Sequence, residues 1–145
     1  AIERAARSIV LGSGIQLEMK RGGVPVKLPP LIEDNLLRIG QEAVTNAVKH
    51  AKATRLTLEL ETSPAAVMLS VSDNGSGIVE AARPGHFGLT GMNERAVRIG
   101  GKLLINRNPG GGTPVKVEVP LRNEISNTQE ERERANAPTH QDPRR

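Results

Sequence analysis

Apolar and polar residues alternate in several short segments of the chain. Residues 15–19, 56–60 and 67–71 place an apolar side chain at every second position, which is the pattern of a half-buried strand. Shorter segments of this kind at 102–106 and 115–120 lie on either side of a glycine-rich turn. The pattern predicts five strands. The short connections predict two hairpins, one from the second and third strands and one from the last two.

A second pattern, in which apolar residues recur every three or four positions, predicts helices. It is longest over residues 31–51, which follow a pair of prolines, and shorter versions occupy residues 1–11 and 92–99. Strands and helices do not alternate along the chain as they do in parallel βαβ units. The order predicts an α+β fold, a two-layer α/β sandwich in which a mixed, mostly antiparallel sheet of about five strands is covered on one face by helices.

Polar residues that border the apolar stripe of the long helix are candidates for a binding site. Their spacing places Glu42, Asn46 and Lys49 side by side along one edge of that stripe. Asp73 directly follows the third strand, and residues 74–88 contain four glycines and one proline, which favours a mobile lid over a helix. Asp-Asn-Gly is also an ordinary hairpin turn, and polar helix residues are also typical of a solvated face. Taken alone, these residues leave both interpretations open.

Composition narrows the classes of protein that fit the chain. It has 145 residues, a formal charge of +4 and no cysteine, which fits one domain and excludes disulfides and thiolate metal sites. Its basic residues are scattered without aromatic neighbours, which disfavours nucleic acid as a partner. No apolar run reaches the roughly 18 residues that a membrane span needs. Residues 122–145 are almost wholly polar, and we expect them to form a disordered tail.

Four segments, taken in order, resemble the nucleotide-binding boxes of the ATPase superfamily that unites gyrase, heat-shock chaperones, histidine kinases and MutL. They are residues 41–51 (QEAVTNAVKHA), 73–78 (DNGSGI), 85–92 (GHFGLTGM) and 110–113 (GGGT). Ordered boxes at matching spacing are far more specific than a single glycine motif.

The residues that flank these boxes narrow the resemblance further. The flanks at 28–30 (LPP), 93–96 (NERA) and 99–101 (IGG) are most similar to nitrate-sensor-type bacterial sensor histidine kinases. The resemblance covers roughly residues 12–121, the expected ATP-binding domain. Residues 1–11 are then expected to be the end of a connecting helix.

The resemblance implies a fold of the histidine kinase ATPase type that binds ATP and Mg²⁺. Asn46 matches the family's metal ligand, Lys49 a residue that approaches the phosphates, and His50 a residue that packs against the ribose or base edge. Glu42 matches the hydrolytic base of gyrase-like relatives. In histidine kinases the matching residue is linked instead to metal binding and to activation of the acceptor histidine, so both roles stay open for Glu42 as the catalytic candidate.

The same resemblance implies which residues contact the adenine base of the nucleotide. Asp73 matches the carboxylate that accepts a hydrogen bond from the adenine amino group. Gly75 and Gly77 are implied to let the backbone pass close to the base, Ile78 to form an apolar wall, and Thr113 to reach the base through water. A threonine after a turn is also simply a residue that favours strands.

The third box is implied to hold the phosphates. Gly88, Leu89 and Thr90 would present backbone amides just before a helix N-terminus, where the helix dipole favours anions. His86 and Phe87 depart from the simplest form of this box. A flexible loop followed by a helix start is the alternative interpretation.

The implied activity is that of a protein-histidine kinase, which passes the γ-phosphoryl group of ATP to a histidine on a dimerisation domain of the same parent protein, with a response regulator downstream. His50, His86 and His140 all lie outside any acceptor block, and the first residue is Ala. We therefore expect a fragment that lacks the acceptor histidine. The implied parent is a homodimer with this domain in the cytoplasm, either soluble or anchored in the inner membrane, and the isolated chain is expected to be a monomer.

Two alternatives share the fold. One is a nucleotide-gated interaction module without productive transfer, which the presence of Glu42 and Asn46 disfavours. The other is a serine kinase of the anti-sigma type, which the flanking residues disfavour.

Overall fold

The computed structural model of the chain describes residues 1–50, 52–75, 89–105 and 114–121. These ranges contain three helices and five strands, and none of the helices is long and apolar enough to cross a membrane. The bounds are α1 Ile2–Val10, β1 Gln16–Gly23, α2 Pro30–His50, β2 Arg55–Thr62, β3 Ala66–Asp73, α3 Leu89–Arg98, β4 Lys102–Ile105 and β5 Val115–Pro120.

The strands form one mixed sheet in the order β1-β2-β3-β5-β4. β1 pairs with β2 in parallel, and every other neighbouring pair is antiparallel. Both predicted hairpins are confirmed, because β2 pairs with β3 and β4 pairs with β5. The mixed, mostly antiparallel sheet confirms the predicted α+β sandwich.

One face of the sheet carries the core. Alternate residues are buried along β2, β3 and β5, and the register aligns them across the three strands. The helices contribute the facing layer, in which α2 contacts α1, α3 and β3. The largest fully buried side chains are Ile39, Val44, Leu56, Leu58, Val67, Leu69, Met92, Val117 and Val119.

α2 is the helix that organises this layer. It begins at Pro30, where a missing N–H costs no helical hydrogen bond, and it agrees with the predicted helix to one residue at each end. A Cβ at Gly40 would lie 2.7 Å from Cδ1 of Ile2 in α1, so the glycine allows close contact between the two helices. Ala6 and Val10 of α1 are buried. Helix α1 therefore belongs to the packed layer, while the predicted domain bounds stay a prediction.

α3 begins earlier than the sequence pattern predicted. The prediction placed this helix at 92–99, whereas it runs over Leu89–Arg98. Leu89 packs against the core, and this burial extends the helix despite the glycine at position 91. Helix α3 ends in a Schellman motif, in which Gly100 has φ +74° and Gly101 N–H donates to the Ala96 carbonyl at 2.8 Å.

Candidate functional site

The chain topology brings α2 and the end of β3 together. α2 ends at His50, and β2 begins at Arg55 shortly after it. Leu56 of β2 pairs with Asp73, the last residue of β3. The C-terminal half of α2 therefore lies over the end of the sheet where β3 terminates, which we call the Asp73 end.

α3 starts at the same end of the sheet. β4 begins with Lys102, whose partner Glu118 pairs in turn with Met68 near the start of β3. The connection from α3 to β4 thus lies at the opposite end. With ten residues, α3 is about 15 Å long at the usual helical rise and reaches back to the Asp73 end at Leu89.

The candidate residues of α2 lie on the border between core and solvent. Asn46 is only 3% exposed, whereas Glu42, Lys49 and His50 are exposed. The neutral amide of Asn46 lies at the border of the core. The carboxylate of Glu42 lies one helical turn before it, and the basic residues Lys49 and His50 follow one turn after it. This arrangement suits a ligand that carries both a metal ion and phosphates.

Asp73 continues the buried face of β3. Val67, Leu69 and Val71 alternate on that face, and the pairing of Asp73 with buried Leu56 sets its side chain on the same side. Its Oδ1 accepts a hydrogen bond from Gly75 N at 2.8 Å, while Oδ2 accepts none from the described residues. The carboxylate is therefore half-buried and fixed through one oxygen.

Asn74 stabilises the end of β3 through its side chain, a role that the sequence pattern did not predict. Its Oδ1 accepts hydrogen bonds from the backbone N–H groups of Thr54 and Arg55, each at 2.9 Å. Its Nδ2 donates to Thr54 Oγ1 at 2.8 Å. These bonds tie the end of β3 to the segment before β2 and so hold Asp73 in position. An Asn-Gly pair directly after a strand was the signal available in the sequence.

A cleft of about 340 Å³ separates the middle of α2 from the first turns of α3. Glu42 is one of the residues that line this cleft. Leu89 and Thr90 lie in the first turn of α3, half-buried and exposed respectively, so their N–H groups are among the donors that a helix leaves without an intrahelical acceptor. The cleft, which we call the α2–α3 cleft, is lined by Arg38, Gln41, Glu42, Thr45, Gly91, Met92 and Arg95.

Several candidate residues lie outside the described residues. They are Gly77, Ile78, Gly88 and Thr113, together with most of the predicted lid and the predicted tail. Their assignments stay predictions. The described candidates lie on α2, in the first turn of α3, or at and just after the end of β3, and these elements meet at the Asp73 end. They are Glu42, Asn46, Lys49, His50, Asp73, Gly75, Leu89 and Thr90.

The oxygen ligands available in this region fit a Mg²⁺ ion that binds together with a nucleotide. Among the described residues, no group of three or more His, Cys, Asp or Glu side chains could hold a metal ion by itself. Asn46 supplies an oxygen, which is the type of ligand that Mg²⁺ prefers. Mg²⁺ commonly keeps several waters and bridges phosphates, so a single protein oxygen of this kind is compatible with it.

A family comparison agrees with this geometry. Residues 32–123 match the family of histidine kinase-, DNA gyrase B-, and HSP90-like ATPases. This range covers more than half of the chain and includes α3, nearly all of α2 and four of the five strands. The chain therefore belongs to this ATPase family.

Individual relatives of the chain are bacterial sensor proteins. It is 41% identical over 102 residues to the sensor protein VraS of Staphylococcus saprophyticus, a match that covers 70% of this chain and 29% of the relative. VraS of Staphylococcus aureus strain COL is 40% identical over 101 residues, with 69% and 29% covered. The chain thus spans less than a third of these relatives' length.

Solved structures with the same fold are histidine kinase domains. The histidine kinase domain of the Erythrobacter litoralis EL346 blue-light activated histidine kinase has a TM-score of 0.65 and 25% identity, covering 83% of this chain and 59% of that chain. The ATP binding domain of PrrB from Mycobacterium tuberculosis has a TM-score of 0.63 and 27% identity, with 83% and 91% covered. The predicted fold type is confirmed.

Proposed function

We propose that this chain is the ATP-binding catalytic domain of a two-component sensor histidine kinase. It transfers the γ-phosphoryl group of ATP·Mg²⁺ to a histidine on a dimerisation domain of the same parent protein, from which a response regulator receives it. One observation carries the proposal: Asp73, Asn46 and the first turn of α3 meet at one end of the sheet. The isolated domain is a cytoplasmic monomer, and its parent is a homodimer.

Adenine is the base that Asp73 selects. Its Oδ2 accepts a hydrogen bond from the exocyclic amino group, while Oδ1 stays bonded to Gly75. Guanine presents a carbonyl at that position, and a carboxylate repels it. Gly75 and Gly77 leave room for the base, Ile78 packs against it, and Thr113 reaches it through water.

The phosphates lie between α2 and α3. Backbone N–H groups of Leu89 and Thr90, with Gly88 before them, bind the phosphates where the helix dipole favours negative charge. Lys49 adds a point charge, and His50 packs against the ribose or base edge. Asn46 would hold Mg²⁺, and the bound ion would neutralise part of the negative charge of the phosphates.

The reaction is an in-line displacement at the γ-phosphorus. A neutral imidazole nitrogen of the acceptor attacks, and the N–P bond forms as the bond to the β,γ-bridging oxygen breaks. ADP leaves with that electron pair. The proton on the other ring nitrogen passes to Glu42, an exposed carboxylate that lines the α2–α3 cleft. Catalysis rests mainly on positioning and charge neutralisation.

Calorimetry tests the nucleotide part of this proposal. We expect ATP to bind, to bind more weakly when Mg²⁺ is removed with a chelator, and to bind far more tightly than GTP. The absence of any ATP binding at millimolar concentration would contradict the proposed function. Equal binding of ATP and GTP would contradict the role of Asp73 alone.

A further inference from the structure

The α2–α3 cleft carries an arrangement of charge that nucleotide binding does not use. Arg38 on α2 and Arg95 on α3 face each other across it, one on each wall. Glu42 lies one helical turn from Arg38 on the same wall. The two arginines and one glutamate leave the cleft with an excess of positive charge.

Neither arginine is neutralised by another residue that the structure describes. Arg38 and Arg95 make no hydrogen bond or ion pair with any other residue in the described ranges, although Glu42 lines the same cleft. A guanidinium presents several donors in a fixed plane that matches a carboxylate. Two unpaired guanidinium groups across a narrow cleft therefore suit an acidic partner.

The position of the cleft identifies which partner reaches it. On the α3 wall, Gly91 and Met92 directly follow Leu89 and Thr90. On the α2 wall, Glu42 lies one helical turn before Asn46. The cleft thus continues outward from the proposed phosphate site. Its volume of about 340 Å³ lies at the small end of ligand sites and accommodates a few side chains of a docked helix.

We propose that the α2–α3 cleft receives the helix that carries the acceptor histidine, and that Arg38 and Arg95 pair with a carboxylate side chain on that helix. This inference rests on the proposed function. The histidine faces Glu42, and the carboxylate lies beside it on the same helix, toward Arg38. Arg38 and Arg95 are positioning residues, because they contact the partner and not the reacting atoms.

Steady-state transfer to the parent's dimerisation domain, supplied as a separate protein, tests the inference. We expect Arg38→Ala and Arg95→Ala each to raise the KM for that domain about tenfold, as the loss of a charged interface contact does, with kcat changed much less. Arg38→Glu is expected to raise it further, and Arg38→Lys to restore part of the loss. The matched control is Arg98→Ala, which removes an exposed arginine of α3 outside the cleft.

The outcomes separate this inference from the proposed function. If the wild-type chain binds ATP and phosphorylates the dimerisation domain, but the double variant keeps the wild-type KM within twofold, the cleft does not bind the acceptor helix. A rise in the Kd for ATP in place of the KM for the acceptor would assign the arginines to the nucleotide and overturn the inference as well. If the wild-type chain transfers nothing, the proposed function fails and the inference falls with it. A circular dichroism melt of each variant confirms that it is folded.

Discussion

At the scale of single residues, the proposed role of Asp73 is to select the base of the nucleotide. We expect Asp73→Asn to weaken ATP binding by about 10- to 100-fold, because a hydrogen bond to a charged group contributes roughly 1.5–3 kcal/mol. Stability should change little, since the asparagine carbonyl can still accept the hydrogen bond from Gly75. Calorimetry with ATP and GTP measures the effect, and Asp34→Asn, at an exposed position on α2, is the control. Equal losses in both variants would contradict the assignment.

Asn35 is a second residue whose burial is informative. It is 4% exposed, and its Nδ2 donates to the Leu31 carbonyl at 2.7 Å. Its Oδ1 is buried and has no hydrogen-bond partner among the described residues. Such a group costs roughly 1–3 kcal/mol. We therefore expect Asn35→Leu to raise the free energy of unfolding by about 1 kcal/mol, measured in urea. A loss of more than about 1 kcal/mol would show that Oδ1 has a partner, such as a buried water.

At the scale of elements, the junction from α3 to β4 depends on a glycine. A Cβ at Gly101 would lie 2.7 Å from the Glu118 carbonyl oxygen and 2.9 Å from Cγ2 of Val119. Gly101→Ala should therefore destabilise the fold by about 1–3 kcal/mol. At Gly91, within α3, a Cβ would meet nothing within 4 Å, so Gly91→Ala should stabilise it by about 0.5–1 kcal/mol. Urea unfolding compares the two, and similar effects of the same sign would contradict this packing.

Glu3 forms one ion pair within α1, with Arg7, and a second that links α1 to the sheet, with Arg21. Glu3 bonds to Arg7 at 3.0 Å and lies 3.6 Å from Arg21 of β1. The hydrogen bond from Arg7 lowers the pKa of Glu3 below its usual range. The pair therefore contributes stability at neutral pH and loses it as the pH falls through this lowered pKa. We expect Glu3→Gln to make stability less dependent on pH in the acid range, by a small amount because the site is exposed. An unchanged acid profile would contradict this contribution.

At the scale of the whole molecule, the sequence predicted the sheet, both hairpins and α2 because those segments follow simple periods. It missed the first turn of α3, since Gly91 interrupts the helical pattern while burial of Leu89 restores the helix. The roles of Asn74 and of the α2–α3 cleft also escaped prediction. Asn74 acts through hydrogen bonds to Thr54, and the cleft forms between α2 and α3. Both features join segments that are far apart in sequence, and the periodicity of a single segment does not predict such contacts.

Transfer of label from γ-labelled ATP tests the central claim most directly. The chain is incubated with labelled ATP and Mg²⁺, alone and with the parent's dimerisation domain. The account predicts an acid-labile, base-stable phosphohistidine on the dimerisation domain and none on this chain. A stable phosphohistidine on the isolated chain, or no label on the dimerisation domain while ATP is bound, would contradict it.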